Sequence, residues 1–169
     1  MKDKILLSKQ MISVSTNDAD ISTSDKPIIG TFALATCVGV LLYSEEKKRA
    51  IVAHSSCDWQ VVVKKMIDLI FENDMGNSII KYKIIPGFHY NNYKVKEHLE
   101  GVFSSLSPMF VPFNEKEFPS DAVFVDEFTT SCQFAFNSLT GKFVSNDVLF
   151  GIDYYKACEK EENLNGKSR

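Results

Sequence analysis

Apolar runs in this chain are short. Ile51-Val52-Ala53 and Val61-Val62-Val63 are typical, whereas a membrane-spanning helix needs roughly 20 such residues in a row. No membrane segment is expected. A basic stripe is missing as well: 22 acidic against 19 basic side chains leave a net charge of −3, and a chain without a positive patch is a poor ligand for nucleic acid. Neither a membrane nor a nucleic acid is therefore expected as a partner. Cysteines are few and scattered, at positions 37, 57, 132 and 158. They lack the tight spacing of a disulfide framework, which agrees with a reducing compartment and free thiols. Ile5-Leu6-Leu7 is too brief for a signal-peptide core, and no small-residue cleavage site follows it cleanly. The expected location is the cytoplasm. No internal repeat is visible.

What is present suits one domain: 169 residues, 44% of them hydrophobic and 24% charged, enough for a real core in an ordinary globular protein. The organising stretch is 31–54. Val38, Val40 and Leu42 alternate with Gly39, Leu41 and Tyr43, and both sets are apolar or small, as in a strand covered on both faces. Ile51, Val52 and Ala53 read as its partner across a short, solvated turn from Ser44 to Arg49, so the two strands are expected to be antiparallel neighbours. Cys37 then opens one strand and His54 closes the other, at the same end of the hairpin. A thiol beside an imidazole is the arrangement that nucleophilic cysteine catalysis requires. Taken singly, each residue has a plainer reading, Cys37 as a small buried hydrophobe and His54 as a hydrogen-bonded polar residue at a strand end. The pairing, with a hydroxyl at Thr31, favours the catalytic one.

Elsewhere the pattern predicts a first strand within 9–16 and a polar loop over 17–26, which together form an N-terminal segment, 1–26, joined to a main unit over 27–150. Gly30 is expected to permit a close turn that brings Thr31 to the hairpin. Trp59, Val62, Val63, Met66, Ile67 and Ile70 mark one face of a helix, capped by Ser56 or Asp58 and ending near 73–76. Trp59 is expected in the core. A strand over 78–85 stops at Pro86-Gly87. A second helix, capped by Asn91 or Asn92, carries Val95, Leu99, Val102, Phe103 and Leu106 up to Pro108, with His98 at its surface. Short strands at 109–113 and 122–128 flank a polar loop, and a hairpin over 131–145 turns at Leu139-Thr140-Gly141. A short helix at 148–158 and a frayed tail would complete a C-terminal segment, 151–169. Strands outnumber helices, so the expected class is α+β: a mixed, largely antiparallel sheet or sandwich flanked by helices.

Thr31-Phe32-Ala33-Leu34-Ala35-Thr36-Cys37-Val38, then Leu42-Tyr43, then Ala53-His54 resembles the motif of the chemoreceptor glutamine deamidases, the CheD family. That motif runs Thr, aromatic, Gly-Leu-Gly-Ser-Cys-Val, a strand ending near Leu-Tyr-Asp, and Ala-His. The spacing is also similar to that of the protein N-terminal asparagine amidohydrolases, whose Thr-Cys matches Thr36-Cys37. A more distant likeness of layout is to the deamidase domains of necrotizing-factor toxins. The resemblance covers about 27–145 in order and is specific over 31–54. It departs from the CheD pattern at Ala35-Thr36, where that family has Gly-Ser, and at Ser55-Ser56-Cys57-Asp58, where it has apolar residues.

The resemblance implies a CheD-like deamidase fold and hydrolysis of a side-chain carboxamide, with Cys37, His54 and Thr31 as catalytic residues. The substrate would be a protein or peptide bearing Gln or Asn, either internally or, in the alternative, as an N-terminal asparagine. Chemically, His54 would lower the thiol pKa of Cys37, the thiolate would attack the amide carbon, and His54 would protonate the departing ammonia before water cleaves the thioester. Thr31 would hold the imidazole in one tautomer. Backbone N–H groups of Thr36 and Cys37 would stabilise the oxyanion. No metal or organic cofactor is required. Two readings of other classes remain: a partial zinc site from Cys37, His54 and Cys57, and a binding module built on a retired catalytic fold.

Overall fold

The structure is a computed structural model that describes residues 11–56, 59–89, 93–106 and 108–145. The described residues hold ten strands and two helices, an α+β chain in which two mixed, largely antiparallel sheets face each other and helices cover one of them.

The chain begins by supplying one short strand to each sheet. Strand β1 (Met11–Val14) runs parallel to β3 (Ile28–Leu34), while β2 (Asp18–Ile21) runs antiparallel to β5 (Arg49–Ser55). The second of these corrects the expected polar loop over 17–26. Asp18 and Asp20 point outward while Ala19 and Ile21 are buried, the alternation of an edge strand, and acids on an edge discourage pairing with a further chain. The expected hairpin is present. β4 (Val38–Ser44) pairs antiparallel with β5 through all seven of its residues, from Val38 opposite Ser55 to Ser44 opposite Arg49.

After β5 come helix α1 (Trp59–Glu72), β6 (Ile80–Pro86), helix α2 (Tyr93–Ser105), β7 (Phe110–Pro112), β8 (Phe124–Asp126), β9 (Ser131–Asn137) and β10 (Lys142–Phe143). One sheet has the order β2-β5-β4-β6-β7; the other runs β1-β3-β9-β10, with β8 also paired to β9. Residues 146–169, where a terminal helix and tail were expected, and the caps Asp58, Asn91 and Asn92 lie outside the described residues.

Period-two alternation divides the core. Val38, Val40, Leu42, Ile51 and Ala53 pack against Val62, Met66 and Ile70 of α1 and Leu99 and Phe103 of α2. The intervening residues Leu41, Tyr43, Ala50 and Val52 face the other sheet, where they meet Ile29, Leu34, Phe134 and Phe136. β4 is thus buried on both faces, and each large aliphatic side chain it hides contributes about 1.5–3 kcal/mol. Ile67 departs from the expected helix face, being 37% exposed. Trp59 lies against the helix-side core as expected, its ring 4.2 Å from that of the exposed His98.

Gly30 lies inside β3 rather than in a turn. Its missing side chain serves close strand packing: an added Cβ would stand 2.4 Å from the Phe134 carbonyl oxygen and 2.7 Å from Ala135 Cβ. The irregularity falls three residues later. Between Thr31 and Leu34 the pairing of β3 with β9 shifts register, and Ala33 takes φ 58°, a left-handed conformation unusual for alanine. The bulge lets Leu34 join Ile29 in the core between the sheets.

Candidate active site

Thr31 and His54 meet where the two sheets face each other, and Cys37 stands at the rim of the same layer. Thr31 comes from β3 and is fully buried; His54 comes from β5 and is 1% exposed. His54 alternates with Ala50 and Val52, which face the other sheet, so strand geometry aims its ring into the same layer. Gly39 is the cross-strand partner of His54. Cys37, in the bend that leads into β4, packs half-buried at the rim of the inter-sheet core and makes no hydrogen bond to His54 Nε2. A Cβ at Gly39 would lie 2.7 Å from Phe134 Cε1 and 3.0 Å from Leu34 Cδ1. Glycine leaves room here for the Phe134 and Leu34 side chains, which a larger residue would have to displace.

Hydrogen bonding fixes the imidazole's tautomer. Thr31 Oγ1 donates its single proton to the Val14 carbonyl at 2.8 Å, and the same oxygen lies 2.8 Å from His54 Nδ1. A hydroxyl has one proton to give. Since that proton is committed to Val14, Oγ1 accepts from Nδ1–H, and Nε2 is left with its lone pair. Nε2 is buried and has no hydrogen-bond partner among the described residues. An unprotonated, unpartnered Nε2 is the form a general base requires.

Burial also sets the ring's charge. Desolvation lowers the His54 pKa from 6.5 to about 4, so the ring is neutral at pH 7. A neutral resting ring carries no charge with which to lower the Cys37 thiol pKa, the role that the sequence reading expected of His54. A stability effect follows from the sign of the shift. Between pH 6.5 and 4 the unfolded chain binds the proton that the folded chain refuses, so stability falls as pH drops through that window and stays reduced below it. The loss should reach about 3 kcal/mol. Denaturant titrations from pH 7 to pH 4 should show this fall in the wild type and a shallower one in His54→Gln; equal slopes would mean that His54 does not set it.

The loop 35–37, which ends in Cys37, is held from one side. Gly87, Phe88 and His89, which follow β6, donate their backbone N–H groups to the carbonyls of Cys37 at 2.9 Å, Leu34 at 3.0 Å and Ala35 at 2.8 Å. Because a trans peptide directs its N–H opposite to its C=O, pinning the Ala35 carbonyl turns the Thr36 N–H away from the 87–89 turn. Thr36 itself is exposed. That N–H is a fixed donor suited to an oxyanion. Gly87 permits the close approach, since a Cβ there would meet the Ala35 oxygen at 2.5 Å and the Cys37 oxygen at 2.7 Å.

Of the residues singled out in the sequence, Thr31 and His54 are joined by a hydrogen bond, and Cys37 and Thr36 stand on the adjoining loop. Cys57, on which a zinc site would depend, lies outside the described residues. Cys132 is buried, and desolvation raises its thiol pKa, which makes it a poor nucleophile. Three contributors escaped the sequence reading: the Val14 carbonyl, the Gly87 turn and Asn17, whose backbone N–H donates to the His54 carbonyl at 2.6 Å. Only Pro86-Gly87 carried a local signal, as a strand stop. No protein-family model matches the chain and no curated protein matches it, so the reading of this site rests on its own residues.

Proposed function

We propose that the protein is a cysteine-dependent amidohydrolase that removes ammonia from a side-chain carboxamide of a protein or peptide, a glutamine deamidase of the CheD-like kind that its Thr31, Cys37 and His54 resemble. The observation that carries this reading is the chain Val14 C=O, Thr31 hydroxyl, His54 imidazole. It leaves an unprotonated Nε2 in the layer at whose rim Cys37 packs. A buried histidine kept only for structure would be expected to have both ring nitrogens satisfied, whereas Nε2 has no partner among the described residues.

A carboxamide resists attack because its nitrogen donates into the carbonyl, so a strong nucleophile and a proton donor are both needed. As Cys37 Sγ bonds to the amide carbon, its proton passes to His54 Nε2. The oxyanion draws on the Thr36 N–H and the neighbouring Cys37 N–H. When the C–N bond breaks, the proton on Nε2 goes to the leaving nitrogen, and ammonia departs. Water then loses a proton to Nε2, its oxygen attacks the thioester carbon, and the released thiolate recovers that proton. Thr31 steadies the ring throughout, because the imidazolium formed in each step still donates from Nδ1 to Oγ1.

A macromolecular substrate suits the open rim. β9 begins beside Leu34, so the β8–β9 turn lies at the Cys37 end of the sandwich. It carries Phe128, 98% exposed, on a loop that Asp126 braces by accepting the N–H groups of Phe128 and Thr129. Phe88, 37% exposed, stands on the 87–89 turn.

The Thr31 series tests the triad. With ammonia release from pools of Gln- and Asn-bearing peptides as the assay, Thr31→Ala should be slower than wild type by roughly 10- to 1,000-fold. It should still exceed His54→Ala, and Thr31→Ser should recover most of the rate. A Thr31→Ala protein as fast as wild type would remove Thr31 from the mechanism.

A further inference from the structure

Thr31 and His54 belong to different sheets, so their hydrogen bond survives only if the sheets keep their spacing and the backbone at 54 stays in place. The chain crosses between the sheets once beside this bond, from Val14 at the end of β1 to Asp18 at the start of β2. Val14 already holds the Thr31 hydroxyl at 2.8 Å. Three residues on, Asn17 holds the other partner. Its N–H donates to the His54 carbonyl at 2.6 Å, and its side-chain Oδ1 accepts from the Ser56 backbone N–H at 2.9 Å and from Ser56 Oγ at 2.7 Å. The backbone is gripped on both sides of residue 55. To do this Asn17 takes φ 59°, a left-handed conformation that asparagine tolerates better than most residues.

We infer that Asn17 is a positioning residue for His54, and that the crossover from Val14 to Asn17 acts as a clamp locking the imidazole to Thr31 across the two sheets. The Asn17 side chain is exposed and extends the chain of contacts by one link: Asn17 fixes the backbone of β5, β5 presents the ring, and the ring meets Thr31. The catalytic consequence rests on the amidohydrolase reading. The positional one does not.

The test uses the full chain labelled with 15N-histidine and compares wild type with Asn17→Gly and Asn17→Asp. Glycine keeps the left-handed backbone and its N–H but loses Oδ1; aspartate keeps an acceptor oxygen. The wild type should show His54 protonated at Nδ1. In Asn17→Gly the two ring nitrogens should move toward averaged shifts, and alkylation of Cys37 by iodoacetamide at pH 7, followed by peptide mapping, should slow by about tenfold. Asn17→Asp should restore both. Should Asn17→Gly fail to fold, Asn17→Ser, with a shorter side chain, is read for the same outcomes. Unchanged His54 shifts in the variant would overturn the inference, and so would slower alkylation with unchanged shifts. Failure of the wild type to deamidate any peptide would sink the amidohydrolase reading alone, because the tautomer is measured without turnover.

Discussion

Replacing Cys37 or His54 by alanine should each reduce deamidation by about three orders of magnitude or more, and the double variant should be scarcely slower than either single one. The non-additivity follows from roles that have no meaning apart: a base without a thiol has nothing to deprotonate, and a thiol without a base enters the reaction protonated. Neither change should unfold the protein. Cys37 sits half-buried at the rim of the core. Removing His54 leaves the Thr31 hydroxyl still donating to Val14, so no buried donor is orphaned, and it takes away a buried nitrogen that has no partner among the described residues. Initial rates with folded, monodisperse variants check this. Strict additivity of the two losses would mean that the residues act separately.

Gly87→Ala should be the next most damaging change, slowing turnover by about 100-fold although residue 87 performs no chemistry. An alanine Cβ would lie 2.5 Å from the Ala35 oxygen and 2.7 Å from the Cys37 oxygen, distances at which backbone must move. Those are two of the three carbonyls that the 87–89 turn pins, so relieving the clash rotates the peptide that aims the Thr36 N–H. The Thr31–His54 bond lies on other strands and should survive, leaving the pH dependence of stability as in the wild type. Gly101 is the contrast. It stands exposed within α2 with nothing within 4 Å of an added Cβ, so Gly101→Ala should leave the rate alone and raise stability by about 0.5–1 kcal/mol. Equal rates for Gly87→Ala and wild type would show that the loop's position does not matter.

The hairpin and α1 were legible because their patterns are long and regular: seven paired residues in β4 and a helical stripe ending in Ile70 leave few alternatives. β2 was not, since four residues with two acids read as loop until a neighbouring strand supplies the pairing. Gly30 shows the limit of a local reading. Glycine in sequence suggests a turn, but here its function is set by Phe134 and Ala135, a hundred residues away along the chain. The same limit applies at the site. Thr31 and His54 could be picked out from type and spacing and do hydrogen-bond, whereas the tautomer depends on a backbone carbonyl, which every residue has and none advertises. The neutrality of His54 was not legible for a related reason: a partner is visible in sequence, but the depth of burial that lowers the pKa to about 4 exists only once two sheets have closed over the ring.

The most direct test of the central claim, that Cys37 attacks a carboxamide, is mass spectrometry of a pool of Gln- and Asn-bearing peptides incubated with wild type and with Cys37→Ala. The account predicts a ~1 Da gain at a carboxamide side chain, from replacement of its NH2 by OH through a thioester, in the wild-type reaction and not in the Cys37→Ala reaction. A gain of the same size with Cys37→Ala would contradict it.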